Sequence, residues 1–427
     1  MSAQEVHSVR RSLRAATTVA VTGTLVLAVG YGVSGAATGS SRQPTKSPIT
    51  IALISSTTGV AGPQYQRAAE GFKARVALQN ANGGIDGHQL NGIVINDAGN
   101  YTQEASIVQG AVQTKGAIGI VSDTPFMFEA YRWLQQNHIP VTGSSADGSE
   151  WGTPKNTNMF PSDDGYQTPN APATAAFSTL MKKVGAKSVA SLGYSISPLS
   201  SQAAKNYTAA AKHAGLKTPY LDTAVTFGAT DFTSEALAVK KSGADLVTPT
   251  MDDNSNFALL QDLRNAGSKA KGLLATGLEP TAVGSSSWTA LQGSYFFQVW
   301  VPTQLHTKAT STFQSALKTY ENVPTSTFPD WSVYESWLGA TLMIKGLLKD
   351  GSSPTSQGII GKLRKVTNFN GNGLLSHPIN YTALAKKKYG PTCIYYLKAE
   401  KSGFVPVNKT PICGTAIPGT GTKSATG

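Results

Sequence analysis

Between Ile49 and Gly87 the chain spells out a strand, a loop, a helix and a helix stop. Ile49-Thr-Ile-Ala-Leu-Ile54 is an apolar run of strand length. A Ser/Thr/Gly loop follows and ends in Gly62-Pro63-Gln64-Tyr65. An Ala-rich amphipathic stretch then stops at Asn82-Gly83-Gly84-Ile85-Asp86-Gly87. A strand that is apolar on both faces belongs in a parallel sheet covered by helices. In such sheets ligands meet the loops at the carboxyl ends of the strands.

The same rhythm continues. Ile93-Val-Ile95 precedes Asp97, residues 102–114 have helical spacing, and Ala117-Ile-Gly-Ile-Val121 reads as a buried strand ending at Ser122-Asp123-Thr124. A helix through Met127, Ala130, Tyr131 and Leu134 leads to Ile139-Pro-Val141 and Gly143-Ser144-Ser145. Residues 152–172, rich in Pro, Asn, Asp and Gly, interrupt the alternation. It restarts with strands near 188–192, 221–226, 245–248 and 272–275, each followed or preceded by a helix. A strand at 293–301, helices near 332–349 and 355–365, and a tail of short strands complete the chain. This order predicts two α/β domains of parallel sheet, with the chain crossing between them more than once.

The first residues read as an address. Arg10, Arg11 and Arg14 precede an apolar stretch from Ala15 to Val33 and the small residues Ser34-Gly35-Ala36-Ala37. Residues 1–37 are therefore expected to be a signal peptide or a retained membrane anchor. Arg10-Arg11-Ser12-Leu13-Arg14 also resembles a twin-arginine signal. The segment has no Cys, which excludes a lipidated one. Residues 38–47 read as a tether, and residues 416–427 as a disordered, low-complexity tail. The formal net charge is +12, but the basic residues are dispersed, which argues for the cell envelope and against nucleic acid. In an exported chain, two cysteines near one end, Cys393 and Cys413, suggest a disulfide.

Nothing points to catalysis. The six His are scattered without metal-ligand spacing. No nucleophile elbow, phosphate-binding loop or complete dinucleotide fingerprint stands between a strand and a helix. No cofactor and no metal are expected.

Four signatures carry a family resemblance. They are Gly62-Pro63 with Asn80-Ala-Asn-Gly-Gly-Ile-Asp-Gly87; Val121-Ser122-Asp123-Thr124 with Val141-Thr-Gly-Ser-Ser145; Phe227-Gly-Ala-Thr-Asp-Phe-Thr233 with Ser242-Gly-Ala-Asp-Leu-Val247; and Asp262-Leu-Arg-Asn-Ala-Gly267. In this order and spacing the chain resembles the branched-chain amino-acid substrate-binding proteins of ABC transporters, the type I periplasmic binding protein fold. The resemblance covers about 48–410. It implies two doubly wound lobes joined by a multi-strand hinge, with lobe 1 at 48–165 plus 300–372 and lobe 2 at 166–299 plus 373–415. The implied protein is a monomer that captures an amino acid or related solute for a membrane permease. The alternative is a sensor signalling to a membrane receptor or kinase.

The resemblance also implies contacts. Tyr65 matches an aromatic over the ligand, while Ser122, Asp123, Thr124, Ser144 and Ser145 match loops that hold a ligand carboxylate. From the second lobe Asp252 matches an often aromatic position, Glu279 falls near the acid that pairs with the ligand ammonium, and Tyr194 is a looser match. Two departures stand out: Asp123 replaces the family's usual Ser, and Ala146 replaces a hydroxyl. With Asp253 also available and no Arg placed for a carboxylate, the pocket leans toward a cationic, amine-bearing or polyhydroxylated ligand. Phe126, Phe128 and Trp151 are candidates to stack on it. Asp123 and Asp252 have a second reading as helix caps.

Overall fold

The computed structural model describes residues 46–421 apart from 146–149, 152–156, 164–170, 387 and 389. The export segment, the tether up to residue 45, Ala146 and the tail from residue 422 lie outside the described residues. All described residues belong to one unit, Pro44–Gly427.

The first sheet holds β1 (Lys46–Ser55), β2 (His88–Asn96), β3 (Ile120–Asp123), β4 (Val141–Gly143) and β5 (Met159–Pro161), all parallel, in the order β2-β1-β3-β4-β5. β1 begins at Lys46, inside the expected tether, and pairs with His88 there before a register shift ahead of Ile49. β5 forms within the stretch where the alternation breaks off. It is three residues long, too short to show a period.

The second sheet holds β6 (Ser188–Tyr194), β7 (Lys217–Val225), β8 (Leu246–Thr250), β9 (Lys271–Leu274), β10 (Tyr295–Gln298), β11 (Thr392–Glu400), β12 (Gly403–Pro406) and β13 (Ile412–Gly414). Its order is β12-β11-β10-β9-β8-β6-β7, with β13 on β11. β6 to β10 are parallel, and β11 to β13 close the edge antiparallel. Both sheets reverse their strand order, between β1 and β3 and between β6 and β8, and each reversal opens a crevice at the carboxyl ends.

The helix Trp331–Asp350 lies against the first sheet and is buried nearly all round over its first four turns. Asp330 caps it by accepting the Val333 N–H at 3.0 Å. Its neighbour Ala68–Ala81 comes so close that a Cβ at Gly71 would stand 2.1 Å from the Val333 carbonyl oxygen. The helix Lys308–Glu321, started by Thr307, packs on the same neighbour and was not anticipated.

Two chain passes near the hinge hydrogen-bond to each other. The Val301 N–H donates to Leu374 O at 2.7 Å, and the Ser376 N–H donates to Val299 O at 2.9 Å. The following segment stays with the first sheet, because the Tyr381 hydroxyl donates to Pro161 O at 2.6 Å and its ring packs edge-on against Phe160. The chain re-enters the second sheet at Thr392, later than the expected residue 373.

Cys393 and Cys413 form a disulfide across the β11–β13 pair. It closes a loop of 20 residues in sequence. The double substitution C393S/C413S is expected to lower stability by roughly 3 kcal/mol, measured as a lower urea midpoint with a steeper slope, because the freed loop makes the unfolded chain less compact. Beyond it, residues 416–421 are ordered against the second sheet's first helix rather than free. Ile417 is buried beside Ala173 and Ala210, its N–H donates to Ala173 O at 2.7 Å, and Ala416 bridges Thr174. One apolar side chain, delivered by the disulfide-tied strand, overrides the low-complexity composition around it.

Candidate functional site

The switch points of the two sheets face one cavity of about 600 Å³. On the second sheet, Tyr194 ends β6 and Asp252 follows β8. The Tyr194 hydroxyl donates to the Asp252 carboxylate across the crevice between them. Burial and the neighbouring Asp252 carboxylate raise the Tyr194 pKa, so the phenol keeps its proton and acts as the donor. Asp252 also accepts the Ser255 N–H at 3.1 Å and the Ser255 hydroxyl at 2.9 Å, and it caps the helix Asp253–Asn265. The cap reading of Asp252 therefore holds, and the same side chain still lines the cavity.

From the first sheet, Tyr65 sits in the helical turn Gly62–Tyr65 and lines the cavity with its ring edge-on to Trp331 at 5.5 Å. Phe126 and Phe128 line it too. Trp151 does not; it is fully buried in the core behind the first sheet, with Ile120 and Leu134. At the hinge end, Phe297, Gln298, Trp300 and Thr392 form the floor.

Six of the expected contact residues do not line this cavity. Ser122, Asp123, Thr124, Ser144 and Ser145 are buried at the ends of β3 and β4, and Glu279 is buried after β9. Among the described residues, neither Asp123 oxygen has a hydrogen-bond partner, nor do the Ser122 and Ser144 hydroxyls. Asp123 does not cap the turn after it. That role falls to Thr124, whose hydroxyl oxygen accepts the Phe126 N–H at 3.3 Å and lies 3.0 Å from the Ser56 hydroxyl. Ser145 donates to Asp163 at 3.2 Å.

The buried acids form an array that spans both sheets. Asp123 and Asp330 belong to the first side, Asp253 and Glu279 to the second. Burial raises the Glu279 pKa well above the usual range, and Asp330 and Asp253 push it further. Burial does the same to Asp123, with Asp330 adding to it. Asp253 is pushed up to about 7, chiefly by burial. Arg67 stands beside this array without lining the cavity. Its guanidinium pairs with Glu70 at 2.7 Å and Asp330 at 3.2 Å. Burial opposes its charge, but the Glu70 hydrogen bond and Asp330 outweigh that and hold it protonated. Arg67 is thus already committed to two carboxylates. The signals for this group were an Arg three residues before a Glu and an Asp immediately before a long helix. Each has an ordinary local explanation, so neither points to a site.

Two doubly wound sheets turning their switch points onto one cavity define a two-lobed solute-binding architecture. Residues 48–403 match the periplasmic binding protein family, and the chain belongs to it. Solved structures share the fold at low identity. A fatty acid ABC transporter substrate-binding protein from Thermomonospora curvata is 17% identical, with TM-score 0.71, covering 88% of this chain and 94% of that one. A branched-chain amino acid ABC transporter from Thermus thermophilus with bound valine is 16% identical, with TM-score 0.70, covering 86% and 96%. An ABC transporter solute-binding protein from R. palustris in complex with benzoate is 13% identical, with TM-score 0.67, covering 88% and 99%. No curated protein matches the sequence.

Proposed function

We propose that the chain is the exported solute receptor of an ABC importer, which closes its two sheets around a small solute and presents the closed form to a membrane permease. The observation that carries this reading is the convergence of both switch points on a single cavity. Contacts from the two sides coexist only when the sheets are closed, so a solute held there drives closure by its differential affinity. The family membership and the ABC solute-binding proteins that share the fold support the same role.

An α-amino acid brings two charges into such a site. Asp252 on the cavity wall answers its ammonium, but no Lys, Arg or His among the described lining residues meets its carboxylate, and the nearby guanidinium of Arg67 is taken by Glu70 and Asp330. The site therefore favours a solute with an amine and no carboxylate over a zwitterion. The receptor acts as a monomer on the outer side of the membrane, held there or released by residues 1–37.

A thermal-shift screen of the full chain against amino acids, amines, sugars, nucleosides and aromatic acids tests the receptor role. A solute at a hundredfold excess over its Kd should add about 2.7 kcal/mol to stability. Tyr65→Ala and Tyr194→Ala, one change on each side, should each weaken the affinity for that solute. Unchanged affinity in both variants would show that the solute sits elsewhere.

A further inference from the structure

We infer, building on the receptor reading above, that the cavity between the sheets takes a hydrophobic amine: an apolar, ring- or chain-bearing molecule with one protonated nitrogen and no anionic group. The size of the cavity, about 600 Å³, is that of a drug-sized ligand. Tyr65 and Phe126 wall it from the first sheet, Tyr207 and Phe227 from the second, and Phe297 and Trp300 at the hinge. Aromatic faces of this kind attract a cation that has left water.

The charges decide the head group. Among the described residues that line the cavity, the ionisable acids are Glu129 and Asp252, and there is no Lys, Arg or His. An anion entering would lose its water, gain no cation, and meet the Asp252 carboxylate. Tyr194 does not offset this, because it stays a neutral phenol that already donates to Asp252. At the hinge floor, Gln298 Oε1 and Thr392 Oγ1 are buried oxygens without a partner among the described residues. Both accept hydrogen bonds, which is what an ammonium group offers. The Trp300 indole N–H is also unpartnered there, and it carries no charge.

The rim gives the length. Val60 and Tyr101 on one side of the mouth and Ile196 on the other are exposed large apolar side chains that also line the cavity. They continue the apolar path outward, so the apolar portion of the ligand reaches the mouth while the nitrogen lies inside.

The test uses three probes with one carbon skeleton: phenylbutylamine, phenylbutyrate and phenylbutanol. Each is titrated into the full-length protein and followed by tryptophan fluorescence, since Trp300 and Trp331 line the cavity. The amine is expected to bind at least about tenfold more tightly than the other two. In D252N, where Asn retains the helix cap, the amine should lose most of that advantage. Equal or tighter binding of the carboxylate or the alcohol overturns the amine assignment and leaves the receptor reading intact. Binding of valine with none of the three probes overturns the cavity assignment alone. Silence of every probe and of the whole solute screen overturns the receptor reading as well. An amine preference in the unmodified protein that survives D252N unchanged overturns the role given to Asp252.

Discussion

Raising the pH from about 5 to about 8 is expected to loosen the contact between the two sheets, with the D253N variant losing the share of that response that Asp253 carries, while Asp123 and Glu279, whose pKa values are also raised, keep theirs. Asp253 ionises near pH 7 in the folded protein, against 3.8 for the ordinary group. Between those values the unfolded chain has already released the proton that the folded chain still holds. Folding then takes up a proton, and stability falls as pH rises, by about 1.4 kcal/mol per pH unit for one such group. The contribution is complete below the ordinary carboxyl range and is lost as pH climbs through 7. Asp252 and Asp330 add to the effect of burial by repelling its charge, while hydrogen bonding with Thr276 and Glu279 opposes it in part. Because Glu279 and Asp253 lie on one sheet and Asp330 on the helix that packs against the other, the repulsion acts across the cleft. Small-angle scattering should show a larger radius at the higher pH, and thermal unfolding a lower Tm. A radius and Tm that do not change over this range would mean that the acids are not in contact across the cleft.

The second large effect is expected at Gly143. This residue ends β4 with φ at +139°, a region side chains rarely enter. A Cβ there would lie 2.0 Å from the Ser122 carbonyl oxygen, which itself accepts the Ser144 N–H at 3.0 Å. Both neighbours are backbone within one sheet, and neither can turn away as a side chain would. Gly143→Ala should therefore cost about 3 kcal/mol or more, combining backbone strain with overpacking. Thermal unfolding should show a fall of several degrees, and Ser122 and Ser144 should shift with it. A Tm within about a degree of the unmodified protein would mean that the β3–β4 pairing is looser than described.

The fold was legible where burial writes itself into long apolar runs. Ile49–Ile54 and Ser188–Leu192 lie on strands because both faces of each are covered, whereas of the expected run Ala117–Val121 only Ile120 and Val121 are on a strand, which continues to Asp123. β5 escaped because three residues carry no period, and the ordered tail escaped because one Ile among Gly and Thr is a weak signal. The candidate site was legible in part. Tyr65, in the turn after β1, and Tyr194 and Asp252, at and just beyond strand ends, line the cavity. The Ser and Asp residues of β3 and β4 are buried behind it, which strand-end position alone does not distinguish from exposure. Arg67 and Asp330 were invisible because they meet across 263 residues of sequence, and no local pattern encodes a pair at that separation.

The hydrogen-bonded ribbon at the hinge has a mechanical consequence. Residues 299–301 and 374–376 run side by side between the sheets, tied by two backbone hydrogen bonds. A strip two plies wide bends readily about the axis across its width and resists twisting about its length. Opening is thereby reduced from an arbitrary tumble of two bodies to a single angle. For the receptor role proposed above, a membrane partner reading that angle would receive one signal, filled or empty, whatever the chemistry of the solute that set it.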